Sequence, residues 1–219
     1  MILALVLQLT LDLTVGKKVN YEVTQSYIST KEKENTTFVF AVTQTVEKQT
    51  LIEGASKIRT RHVLKKTIVD GLVIPQQSDD SPLERTELRL PSGHILQREL
   101  MPYDPVLRER QNRPLDLMLP SGDINPNMVW QREEPRSESV DTPAAHWEWN
   151  CISISPKEIV IGVKFAEKKT LEPITADGTI KIDPKSCWPN SIDITVHNTT
   201  LPGDSESIPV DLIITWRKL

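Results

Sequence analysis

The stretch "AAHWEWNCISIS", residues 144–155, sets an imidazole, a carboxylate and a thiol within six positions, interleaved with two indoles. These are the side chains of a thiol–imidazole nucleophile or of a metal site. Their spacing argues against both. Apolar and polar residues alternate, so the stretch reads as a strand whose successive side chains point to opposite faces. His146, Glu148 and Asn150 then share one face, and Trp147, Trp149, Cys151 and Ser153 the other. The thiol is separated from the imidazole and the carboxylate. A zinc site needs at least three ligands, and His62, His94 and His197 lie singly on distant elements. The tryptophans are read as core or pocket lining.

Other chemistry is equally thin. "DINPNMVWQREE" places Asp123, Asn125, Asn127 and Glu134 at the ligand positions of a calcium loop. The sixth position is Met128, where the sharp turn needs glycine, and Pro126 lies inside. An Asx-rich turn before a strand explains the same residues. The eight glycines never take a phosphate-cradling spacing. Ser92 in "PSGH" and Ser121 in "PSGD" lack the frame of a nucleophile elbow and read as turns. Cys151 and Cys187 are the only cysteines. In an exported chain an even count fits one disulfide, and a Cys151–Cys187 bridge is expected there; two buried free thiols are the alternative. The "KIRTRHVLKK" strand aligns Lys57, Arg59, Arg61 and Lys65 on one face. Such a face discourages edge-to-edge pairing, or holds an anionic headgroup or acidic partner. No assembled catalytic set is visible, so no enzyme and no cofactor are expected.

The elements that would position these residues are almost all strands. The chain has 219 residues, a net charge of −4 and 26% charged residues, which suits one large globular β domain. The charge balance counts against a nucleic-acid backbone binder. No apolar run approaches the ~20 residues that a membrane-spanning helix needs. "MILALVLQ", residues 1–8, reads as a short or truncated export signal, although it has no basic n-region. The alternative is a start codon followed by a buried strand, in a cytoplasmic protein. The domain proper runs over residues 9–219.

"LTLDLTV" alternates and predicts the first strand, with Leu9, Leu11, Leu13 and Val15 on one face. About ten or eleven mostly antiparallel strands follow in a meander, with hairpin signals such as Asp70-Gly71. Residues 101–143 break the pattern with seven of the sixteen prolines. "DPVLRERQN" predicts a short helix capped by Asp104, with Pro105 at its first position. "MVWQRE" predicts a short strand. An excursion this long is expected to lie over the sheet as a lid or plug, anchored by Leu115, Leu117, Met118, Leu119 and Trp130.

The "PSGHILQREL" hairpin, the proline-rich middle and the "DGTIKIDPKS" turn together resemble exported bacterial β-meander proteins. More distantly they are similar in layout to the half-barrel fold of outer-membrane lipoprotein carriers. That resemblance implies a curved half-barrel or open barrel with a concave apolar face, partly plugged by the middle segment. No functional residue carries over from it. The expectation is a non-enzymatic, periplasmic or secreted all-β protein that binds an apolar, lipid-like molecule or a protein partner on its sheet. Tyr21, Tyr27, Phe38, Phe40, Trp147 and Trp149 are the residues expected on the concave face. The alternative is a structural or assembly module in which that face is simply a closed core.

Overall fold

Alternating apolar and polar residues build fourteen strands among the residues described by the structure, a computed structural model covering 7–29, 34–50, 54–75, 81–138, 140–203 and 208–219. They are β1 (Leu7–Gln8), β2 (Lys18–Ser29), β3 (Asn35–Gln49), β4 (Ser56–Val69), β5 (Leu72–Ile74), β6 (Leu83–Arg89), β7 (Ile95–Arg98), β8 (Asp123–Ile124), β9 (Val129–Glu134), β10 (Ala144–Ile154), β11 (Ile159–Lys168), β12 (Thr175–Ile182), β13 (Pro189–Thr199) and β14 (Val210–Lys218). Twelve form one antiparallel sheet in the order β7-β6-β4-β3-β2-β14-β13-β12-β11-β10-β9, with β5 on β4; β1 and β8 pair separately. Two meanders therefore run outward from a joint where the last strand, β14, pairs with β2.

The sheet is curved but not closed. Its edge strands β7 and β9 do not pair. They face one another across a cleft of about 270 Å³, lined by Ile95 and Arg98 on one side and Arg132 and Glu134 on the other. This is the all-β open barrel that the resemblance implied, built from fourteen strands rather than the ten or eleven expected. The β3–β4, β6–β7 and β12–β13 turns gather at one end of it, and the β2–β3, β4–β5 and β13–β14 connections at the other.

The proline-rich segment enters the barrel. Helix α1 (Pro105–Asn112) leads into a 3-10 turn at Arg113–Leu115. Pro105 opens the helix as expected, but Asp104 does not cap it. Its backbone is left-handed, with φ 48°, and its carboxylate instead accepts the Gly203 N–H at 2.6 Å. Polar side chains stitch the segment to both meanders. Gln111 donates to Thr199 Oγ1 and the Thr200 carbonyl, each at 2.8 Å, and accepts from the Tyr27 hydroxyl. Arg110 grips Glu167, and Arg98 of β7 meets Glu109 and Asp116. Leu117, Leu119 and Ile124 join the core. Their burial contributes ~1.5–3 kcal/mol each, enough to dock the segment. Its last part, β9, is the sheet's own edge strand, with Trp130 opposite Trp149.

Three expectations need correction. "LTLDLTV" is extended and buries Leu9, Leu11 and Leu13, but residues 9–15 join no sheet and Val15 is exposed. Both places beside β2 are taken by β3 and β14, so its backbone bonds go to end turns, Leu11 N–H to Pro91 and Asp12 N–H to Ser186. It closes that end of the barrel, where Trp188 donates to the Asp12 carbonyl at 2.7 Å. The cationic strand β4 is not an edge. It lies between β3 and β6, and Lys57, Arg59 and Arg61 pair with Glu47 and Glu84 on those neighbours. Lys65 is skipped in the register, as the extra residue of a bulge. The Cys151–Cys187 bridge is not formed: both residues are buried free thiols. Cys151 lies on β10 and Cys187 in the β12–β13 turn, with β11 and β12 between them. Of the expected export segment, residues 1–6 lie outside the described residues; Leu7 and Gln8 pair with Ile124 and Asp123.

Candidate functional site

The end of the barrel opposite "LTLDLTV" is hollow. A cavity of about 440 Å³ opens there between the sheet and the start of α1. Its sheet wall follows from register. Phe38 stands opposite Gln25, Phe40 opposite Leu64, and His62 opposite Leu83. With Tyr27, these side chains project inward from β2, β3, β4 and β6. Tyr27, Phe38, Phe40 and His62 form a continuous row, with successive ring centroids 6.0, 6.3 and 6.4 Å apart. Edge-to-face and tilted contacts of this kind hold a rigid apolar wall. The facing wall comes from the segment around α1, where Tyr103, Arg108 and, from the β13–β14 connection, Pro202 line the space.

Gln25, His62, Ser81 and Arg108 interrupt the apolar lining. Burial, helped by the charges of Arg85 and Arg108, holds the His62 imidazole down to about 3, so it is neutral at ordinary pH. Its Nε2 is enclosed and has no hydrogen-bond partner. Arg108 donates from Nε to the Tyr103 carbonyl at 2.8 Å. Burial also pushes the Tyr27 phenol upward, against the Arg108 charge, so Tyr27 stays a neutral donor to Gln111.

Of the six aromatic residues expected on the concave face, the structure brings three together, Tyr27, Phe38 and Phe40. The others point inward but lie elsewhere. Trp147 and Trp149 stack in a row with Trp130, at centroid distances of 6.5 and 6.2 Å, beneath the 3-10 turn. The Arg113 guanidinium sits 5.1 Å over the Trp147 ring, and Trp147 Nε1 donates to the Arg113 carbonyl. Tyr21 is fully buried near the closed end, edge-on to Trp216 at 5.1 Å. Sequence reasoning missed His62, Leu64, Leu83 and Arg108. The β4 residues carried a signal, since Ile58, Thr60, His62 and Leu64 alternate with Lys57, Arg59, Arg61 and Val63.

The polar face of β10 makes surface ion pairs. His146 Nδ1 lies 2.8 Å from Glu133, which Lys168 also binds at 2.7 Å. Among the described residues no three metal-ligating side chains cluster, and none of the helices is long and apolar enough to cross a membrane. The calcium-loop residues are divided between strands: Asp123 ends in β8, and Glu134 pairs with Arg113 from β9.

No family model and no curated protein matches the chain. One solved structure is similar, a protein from Bacteroides fragilis thought to be exported, with a YmcC-like fold. It shares 8% identity over 99% of each chain, with a TM-score of 0.32, and so carries no argument about function.

Proposed function

We propose that the protein is a non-enzymatic binder of an apolar, lipid-like small molecule, held in the cavity at the open end of the barrel. One observation carries the reading. A space of about 440 Å³, of the size that small-molecule sites take, is walled by Tyr27, Phe38, Phe40, Leu64 and Leu83, with Gln25, His62, Ser81 and Arg108 as its polar members. The remainder of the concave face is filled by the 111–124 segment, which acts as a fixed plug. The reading keeps export, expected from the apolar run at residues 1–8; fractionation of producing cells tests that separately.

Native mass spectrometry of purified protein, with binding of a polarity-sensitive hydrophobic dye, tests the cavity. The expected result is co-purified lipid, or saturable dye binding that a Leu64→Trp substitution abolishes by filling the space. Unaltered dye binding in a folded Leu64→Trp protein would refute the site. No bound lipid and no dye binding would leave the structural-module reading, in which the aromatic row is only core.

A further inference from the structure

We infer that the ligand of this cavity is an amphiphile with a carboxylate headgroup, held by Arg108, its apolar chain lying along Tyr27, Phe38 and Phe40. The inference rests on the proposal that the cavity binds an apolar molecule, and adds its chemical class.

The headgroup follows from what the cavity's cations lack. Arg110 and Arg113, neighbours of Arg108 along the same segment, each pair with a carboxylate, Glu167 and Glu134. Arg108 has no carboxylate partner among the described residues, although it lines the cavity. With Nε engaged by the Tyr103 carbonyl, its two Nη groups remain as a planar fork. That fork fits the paired oxygens of a carboxylate better than a single-oxygen headgroup. His62 borders the cavity as a neutral ring, and its enclosed Nε2 presents no surface to a ligand.

Arg85, on β6 two residues beyond Leu83, is buried, and its charge and that of Arg108 both act on His62. Glu87, Glu109 and Asp116 act on Arg85 in turn. A cationic headgroup would be repelled by Arg108, and a neutral one would leave its guanidinium without an ion-pair partner among the described residues. An anion satisfies the fork.

The test titrates the full chain with dodecanoate, dodecanol and dodecyltrimethylammonium, read by displacement of a bound hydrophobic dye. A pH of about 8 keeps the carboxylate ionised. Dodecanoate is expected to compete about tenfold better than dodecanol, and the cation worst. Arg108→Gln should bring dodecanoate to within about threefold of dodecanol, and be partly rescued by Arg108→Lys. Equal competition by dodecanoate and dodecanol in the unmodified protein would overturn the headgroup and leave the apolar site standing. Loss of both in Arg108→Gln would assign Arg108 to packing and overturn the inference too. Failure of all three to compete would overturn this inference and the proposed function together.

Discussion

The grip between α1 and β11 should be asymmetric, and the asymmetry can be measured. Glu167 is fully buried, whereas the Arg110 side chain keeps 21% of its surface exposed. The carboxylate accepts Arg110 Nη2 at 2.6 Å, Arg110 Nε at 3.0 and 3.2 Å, and the Ile174 N–H at 2.9 Å. Arg110→Ala removes every cationic donor and leaves a buried carboxylate with one backbone N–H. Breaking a buried pair in this way costs ~3–5 kcal/mol. Glu167→Gln keeps the shape and an acceptor. It leaves Arg110 free to reach water and the Glu172 carbonyl, which it already contacts at 2.8 Å. The loss should be ~1.5–3 kcal/mol, the value of hydrogen bonds to a charged group. At ~2–4 °C per kcal/mol for a chain of this size, Arg110→Ala should lower Tm by ~6–20 °C and Glu167→Gln by about half as much. Urea unfolding followed by tryptophan fluorescence gives both losses, provided the m-value is unchanged. A loss under ~1 kcal/mol for both would make this an ordinary surface pair. A reversed order would show that the carboxylate reaches solvent, and the reasoning would fail.

Three further outcomes follow from named groups. His62 is held down to about 3 by burial, with Arg85 and Arg108 adding to it; the native state resists the proton, so stability is whole above the unfolded value of ~6.5 and declines by ~1.4 kcal/mol per pH unit below it. Urea midpoints at pH 7.5 and 5.5 should therefore differ more in the unmodified protein than in His62→Gln, and equal differences would sink the assignment. Burial pushes the Cys151 and Cys187 thiols up, so native protein should resist alkylation at neutral pH and release both thiols on denaturation without reductant; a bridged peptide would contradict the free-thiol state. Gly93 has φ +83°, and a Cβ there would lie 2.3 Å from the Leu117 carbonyl oxygen; Gly93→Ala should cost at least ~1–3 kcal/mol from backbone strain alone, read from the same unfolding curves.

What was legible in the sequence was what lies within a strand. Period two separated Trp147, Trp149 and Cys151 from His146 and Glu148, and the burial of β10 alternates in the same way. What lies between distant strands was not legible. The Leu9, Leu11 and Leu13 pattern is a strand pattern, yet β14 takes the place beside β2 that would have completed it. The site shows the same limit. Alternation says that Tyr21, Phe38 and Trp147 all point inward, but not how far along the barrel each stands or what covers it. Tyr21 meets Trp216, Trp147 meets Arg113, and Phe38 meets open space. Arg108 was invisible because a cation on a short helix reads as solvated by default.

The position of the hollow has a physical cause. One end of the barrel is closed by Leu9, Leu11, Leu13 and Trp188, and the middle is filled from Gln111 to Leu119. At the other end the sheet presents an aromatic row, Tyr27, Phe38 and Phe40, and an apolar helix face could have packed against it. The helix instead turns Val106 and Leu107 toward Ile174, on the far side, and offers Arg108 and Gln111 to the aromatic wall. Gln111 finds partners in Tyr27 and Thr199, whereas among the described residues Arg108 has only the Tyr103 carbonyl. A guanidinium cannot fill an apolar cavity without losing its hydration, so the two surfaces stand apart. Among the described residues Arg108 thus stands opposite the aromatic wall without an ion-pair partner, a local departure from the consistency that the rest of the fold shows.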